Sequence, residues 1–129
     1  MCVRSFGGNI IMSLNVNFYL KDKTIIIRLI GEMDQDTVGN LRQKLINFIE
    51  EYNVKNVVFN MSNVEFMDST GIGIIIGRYN QIKKKKGKII LCNINKNIEK
   101  IVIYSGLPKI CLIRNSEEEA LYLLEEIYG

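Results

Sequence analysis

Residues 56–85 read NVVFNMSNVEFMDSTGIGIIIGRYNQIKKK, and this stretch decides the fold. Asn56 to Asn60, with Val57, Val58 and Phe59 between them, has the apolar character of a short buried strand. Ser62 to Met67 carries the chain to a helix predicted from about Ser69 to Lys85, and Gly87 supplies its stop signal. A buried strand leading into a helix is the first half of a crossover between parallel strands.

The flanking sequence repeats that alternation. Upstream, Leu14, Val16 and Phe18 alternate with Asn15 and Asn17, and Thr24 to Ile30 is rich in β-branched residues, so the Lys21-Asp22-Lys23 turn makes a hairpin. Glu32 to Thr37 is a polar loop with good N-cap residues, after which Val38, Leu41, Leu45, Ile46 and Ile49 recur at helical spacing to about Tyr52. Downstream, Lys88 to Asn93 reads as a second buried strand. Asn95 caps a short helix containing Ile98, Ile101 and Val102, which Gly106 and Pro108 end. Ile110 to Ile113 is the last strand, and Ser116-Glu117-Glu118-Glu119 is a capping box opening a helix with Leu121, Leu124 and Ile127 on one face. The expected architecture is α/β: a small sandwich with a mixed, mostly parallel sheet, an N-terminal antiparallel hairpin and about four helices.

Residues 1–11 show neither period 2 nor period 3.6, whereas Met12 stands just before the first strand pattern. The expectation is a non-native or mis-annotated leader over 1–11, a start at Met12, and a single domain over 12–129.

Composition narrows the chemistry. The chain has 129 residues, 47% hydrophobic and 24% charged, which suits one compact domain. It has no histidine, which removes the usual general base near neutral pH, the usual zinc ligand and every Ser-His-Asp or Cys-His arrangement. The three cysteines, Cys2, Cys92 and Cys111, form neither a disulfide framework nor a metal knuckle, and they fit a reducing cytoplasm. A net charge of +3 is too small to imply nucleic acid, and no run is apolar enough to span a membrane. No metal or cofactor is expected.

The segment Phe66-Met67-Asp68-Ser69-Thr70-Gly71-Ile72-Gly73 places a carboxylate, two hydroxyls and two glycines where a strand hands over to a helix, the place at which open α/β sheets bind ligands and partners. It is not a dinucleotide fingerprint, since position 76 is isoleucine, and no Walker A sequence occurs. Gly71, Gly73 and Gly77 offer a helix face almost without side chains, at roughly 1 kcal/mol each relative to alanine, so close approach of something is expected. Asp68 or Ser69 can cap the helix. A phosphate on Ser69 would add about −1.5 to −2 charges at a helix N-terminus that tolerates them, while burying that charge beside Asp68 would weaken a docked partner.

The Gly31-Glu32-Met33-Asp34 loop, the Phe66 to Gly73 block, Gly77-Arg78-Tyr79 with Gln81-Ile82-Lys83, and Ser105-Gly106-Leu107 together resemble the STAS domain. Within it they resemble the anti-sigma factor antagonists of early sporulation in endospore-forming bacteria. The resemblance spans Met12 to about Leu124. It implies a non-enzymatic binding protein that, unphosphorylated, engages an ATP-dependent anti-sigma factor serine kinase and frees a sporulation sigma factor. The kinase switches it off by phosphorylating one serine, and a serine phosphatase restores it. Carried onto this chain, the phosphorylated serine is Ser69 and the loop acid is Asp34. The docking surface comprises Asp34, Asp68, Ser69, Thr70, Gly71 and Gly73, with Arg78 as a further contact. The chain departs from the pattern at Thr70, where serine is common, and at Gln35 and Asp36. Thr70 could compete as acceptor, although its bulk and its place one step into the helix disfavour it.

Other readings fit less well. A receiver domain needs a Lys-Pro pair, but the single proline, Pro108, follows Leu107. A low-molecular-weight phosphatase needs C-x₅-R, but six residues after Cys92 stands Ile98, and Cys92 suits a buried small hydrophobe. A nucleotide- or phosphate-binding signalling domain is the alternative that remains. Lys83 to Lys86 reads first as a solvated helix end, where cations suit the dipole, and second as a contact for an acidic partner or nucleic acid.

Overall fold

A computed structural model describes residues 3–11 and 14–128. Three strands come first: β1 (Val3–Ile11), β2 (Leu14–Lys21) and β3 (Thr24–Met33). Helices then alternate with strands through α1 (Val38–Glu51), β4 (Asn56–Met67), α2 (Ser69–Ile82), β5 (Ile89–Cys92), α3 (Glu99–Tyr104), β6 (Leu112–Arg114) and α4 (Glu117–Tyr128). One six-stranded sheet takes them in chain order, β1-β2-β3-β4-β5-β6. β1 to β3 are antiparallel, and β3 to β6 run parallel.

Strand periodicity assigns the two faces. Ile25, Ile27, Leu29, Val57, Phe59, Ile89 and Leu91 turn to one side and pack with Leu41, Leu45 and Ile49 of α1, Ile74, Ile75 and Ile82 of α2, and Val102 of α3. Ile26, Val58, Ile90 and Cys92 turn to the other side and meet Ala120 and Leu124 of α4. Each βα crossover between neighbouring parallel strands returns on the same side, so α1, α2 and α3 share a face and, among the described helices, α4 alone covers the opposite one. At its first turn α4 is clamped to the sheet: Glu117 takes two hydrogen bonds from Arg28 at 2.8 and 2.9 Å and one from Asn60 at 2.6 Å.

Several boundaries differ from the sequence expectation. Residues 3–11 form β1 on the edge of β2, and a register shift between Ser5 and Gly8 breaks the alternation that would have revealed a strand. Cys2 and Met12 lie outside the described residues. β4 continues through Ser62 to Met67 because its backbone keeps pairing with β3, with shifts at Arg28/Ile30 and Gly31/Glu32, despite the polar side chains. α2 stops at Ile82, and Lys83–Lys85 make a tighter 3₁₀ turn.

The left-handed residue ending that turn is Lys86 (φ 59°), not Gly87. Gly87 is required for another reason, since a Cβ there would lie 1.7 Å from the Lys55 carbonyl oxygen. Asn95 acts one turn ahead of α3, whose N-cap position is Ile98: its Oδ1 accepts from Asn97 N at 2.8 Å in the turn leading into the helix, and its amide donates to the carbonyls of Met61, Ser62 and Val64, holding the chain after β5 against β4. Gly106 does end α3 in the left-handed region (φ 85°), and Ser116 Oγ accepts from Glu119 N at 3.1 Å, as a helix start requires.

Candidate functional site: the start of the second helix

Asp68 follows the last residue of β4 in extended conformation and caps α2. Its Oδ1 accepts from Thr70 N at 2.9 Å and Gly71 N at 3.3 Å, and it also accepts from the Thr70 hydroxyl. Its Oδ2 accepts from Gln35 N at 3.3 Å, and Asp68 N donates to Met33 O at 3.2 Å. One carboxylate thus satisfies free N–H groups of a helix end and ties that end to the loop after β3. Partial burial works against its charge, but the hydrogen bonds from the Thr70 side chain and from the Thr70, Gly71 and Gln35 backbones outweigh it. They hold Asp68 below the usual carboxylate range.

The loop itself is organised by Asp34 and Thr37. Asp34 Oδ1 accepts from Asp36 N at 2.9 Å and Thr37 N at 3.1 Å, an Asx turn that leads into α1. The buried Thr37 hydroxyl accepts from Asp34 N at 3.0 Å and donates to Glu32 O at 2.8 Å. Gln35, marked in the sequence only as a departure from the family pattern, and Thr37, marked only as the end of a polar loop, join the two halves of the site through groups that a residue pattern does not display: a backbone N–H and a turn-forming hydroxyl.

Ser69 is the first helical residue, and its side chain is exposed. Its hydroxyl enters none of the hydrogen bonds of the described residues, whereas that of Thr70 is held by Asp68. Of two adjacent hydroxyls, Ser69 is presented to solvent and Thr70 is engaged. Cavities of about 750, 540, 280 and 610 Å³ open elsewhere on the surface, and none is lined by Asp34, Asp68 or Ser69. The site is an exposed surface.

The three glycines do not share a face. A Cβ at Gly71 would stand 2.8 Å from Met67 Cγ and 3.0 Å from Met33 O, so Gly71 lets α2 seat against the ends of β3 and β4. At Gly73 and Gly77 a Cβ would meet nothing within 4 Å. These two, with exposed Ile76, form the outer surface that continues from Ser69. Arg78 is 6% exposed and points inward, with Nε and Nη1 lacking hydrogen-bond partners. Burial, and secondarily the nearby Arg42, lowers its pKa. Helical phase could have signalled both placements, since 71, 74, 75, 78 and 82 fall on one stripe.

Tyr79 is half-buried against the core. Cys92 and Cys111 are buried thiols whose pKa desolvation pushes up to about 12, which leaves them protonated. Among the described residues no group of three acidic or cysteine side chains gathers as a metal site, and no helix is long and apolar enough to cross a membrane.

Comparison with known proteins bears on the chain as a whole. The STAS domain pattern matches residues 15–120. An anti-sigma F factor antagonist of Paenibacillus polymyxa is 34% identical over 116 residues, covering 90% of this chain and 99% of the relative. An anti-sigma-B factor antagonist of Bacillus subtilis is 28% identical over 83% of this chain and 96% of its own length. The unphosphorylated form of the anti-sigma factor antagonist SpoIIAA superposes with a TM-score of 0.78 at 30% identity, over 88% of this chain and 99% of that one. Its phosphorylated form superposes with a TM-score of 0.69 at the same identity, over 84% and 98%. On the match over most of its length, and on the extent of these likenesses, the chain belongs to the STAS domain family.

Proposed function

We propose that this protein is an anti-sigma factor antagonist whose binding is switched off by phosphorylation of Ser69. The observation that carries the reading is the exposed, unbonded Ser69 hydroxyl at the first position of a helix whose neighbouring hydroxyl, Thr70, is held by the capping Asp68. The likeness to antagonists with solved unphosphorylated and phosphorylated forms supports it.

In this reading the protein is a regulatory binding domain in the cytoplasm and the substrate of another enzyme. An anti-sigma factor serine kinase docks on the surface formed by the Asp34 loop, Asp68, Ser69, Thr70 and Gly73. Gly71 and Arg78 shape that surface from beneath. Ser69 Oγ attacks the γ-phosphorus of the kinase-bound ATP, the bond to the ADP oxygen breaks, and the serine proton passes to a base of the kinase. The new phosphate gains from the helix dipole by roughly 0.3–1 kcal/mol, so the domain stays folded. Its charge, beside the ionised Asp68 and facing the kinase, opposes redocking through desolvation and like-charge repulsion. A serine phosphatase reverses the change.

Intact-mass measurement after incubation with kinase and ATP tests the reading, with fragment mapping of the product. One phosphate on Ser69 is expected. No incorporation, or incorporation at Thr70, would overturn it.

A further inference from the structure

At the far end of β4 from Ser69, the turn that links α2 to β5 and the turn that leads into β6 enclose a groove of about 610 Å³. Lys83, Lys86, Lys88 and Lys109 line it, no carboxylate does, and Tyr79, Pro108 and Ile110 give it a less polar wall. All four lysines are exposed, and none takes part in an ion pair among the described residues. Nine of the chain's twelve lysines sit between residues 21 and 23 or just before β4, β5 and β6, that is, at one end of the sheet. Around the hairpin and α4 their charge is shared with Asp22 and Glu125; in this groove it is not.

The backbone that carries these cations is fixed. Lys86 N donates to Lys83 O and Gly87 N to Ile82 O, while Lys88 is held to β4 on both sides, donating to Asn56 Oδ1 at 2.9 Å and accepting from Val57 N at 3.0 Å. Gly87 lies against the Lys55 carbonyl, Tyr128 donates to Lys86 O at 2.8 Å, and Lys109 N donates to Gly106 O at 3.0 Å. The Lys83 ammonium rests 5.8 Å from the centre of the Tyr79 ring inside the same groove. Like charges crowded on rigid turns repel one another until an anion enters, and the ammonium group serves phosphate oxygens as a point charge. The concave shape and the volume suit a discrete ligand; a flat bilayer would meet only the rim.

We infer that this groove is a binding site for a soluble small molecule carrying two or more phosphate groups. The inference does not depend on the role of Ser69. β4 has twelve residues and spans roughly 40 Å at about 3.3 Å per residue, so a ligand here and a partner at Ser69 occupy opposite ends of the sheet.

Calorimetric titration of the full chain with inorganic tripolyphosphate tests it. One site is expected, weakened by added salt. The double substitution Lys83→Ala with Lys109→Ala should weaken it about tenfold or more, and Lys96→Ala with Lys100→Ala, which removes the same charge elsewhere, by less than about twofold. A readout independent of variants is the set of amide shifts in the unaltered protein, expected at residues 86–88 and 109–111. No saturable binding, equal weakening by the two double substitutions, shifts confined to residues 70–73, or binding only to vesicles of anionic lipid would each overturn the assignment.

Discussion

Gly71 and Gly73 stand two residues apart in α2, yet a Cβ at Gly71 would press to 2.8 Å from Met67 Cγ, whereas one at Gly73 would meet nothing within 4 Å. The same contrast runs the length of the helix. Its inner side carries Gly71, Ile74, Ile75 and Ile82 into the core, together with a guanidinium that has no partner for two of its nitrogens. Its outer side shows Ser69, Gly73 and Ile76 to solvent. The comparison separates two reasons for a helix to spend propensity on glycine: fitting against its own sheet, and leaving room for another molecule.

Substitutions can break that contrast, and the largest expected effect falls on the outer side. Ser69→Ala should lose all phosphate incorporation with unfolding by urea unchanged, while Ser69→Asp should lower affinity for the kinase about tenfold or more in a binding titration. Equal affinity of the aspartate variant and the unaltered protein would remove the electrostatic explanation. On the inner side, Gly71→Ala should cost about 1–3 kcal/mol in urea unfolding, because Met67 and the Met33 backbone must move.

Arg78→Met tests the buried cation. Replacing an unpaired guanidinium by an apolar side chain of similar length should leave stability unchanged or raise it by about 1 kcal/mol or more, and a loss would mean that Arg78 finds a partner in solution. Asp68→Ala should cost about 1 kcal/mol through the lost cap and flatten the acid limb of the stability profile. Because the folded pKa of Asp68 lies below the ordinary 3.8, its contribution is complete above that value and disappears as pH falls through the folded one. The smallest effect belongs to Gly73→Ala, which should gain up to about 1 kcal/mol of helix propensity without touching the core.

What the residues disclosed in advance follows from what each signal measures. Leu14, Val16 and Phe18 alternate with polar neighbours, so β2 was plain, and α1 was equally plain from its apolar stripe. Strand β1 was hidden because a register shift destroys alternation, and the second half of β4 because its pairing resides in backbone groups that Ser62, Asn63 and Glu65 do not reveal. At the site, the Asp68-Ser69 block stood out by composition. The inward orientation of Gly71 and Arg78 was available from helical phase and was missed, as was the bridge from Gln35 N to Asp68, which no side chain encodes. The four-lysine groove is assembled from two turns more than twenty residues apart, and only Lys83 to Lys86 formed a visible run.

The strand order of the sheet, identical to the order of the chain, bears on how the protein is made. Every strand adds to an edge formed by the one synthesised just before it, so a ribosome delivering the chain from its N-terminus never has to hold a strand in waiting for a partner that comes later. Pairings of this kind close short loops and keep contact order low for a largely parallel sheet. The exception is α4, whose Glu117 must find Arg28 and Asn60 across the finished sheet. Among the described helices it is the one that cannot dock until all six strands have left the ribosome, and its clamp is therefore the natural last step in folding this sheet.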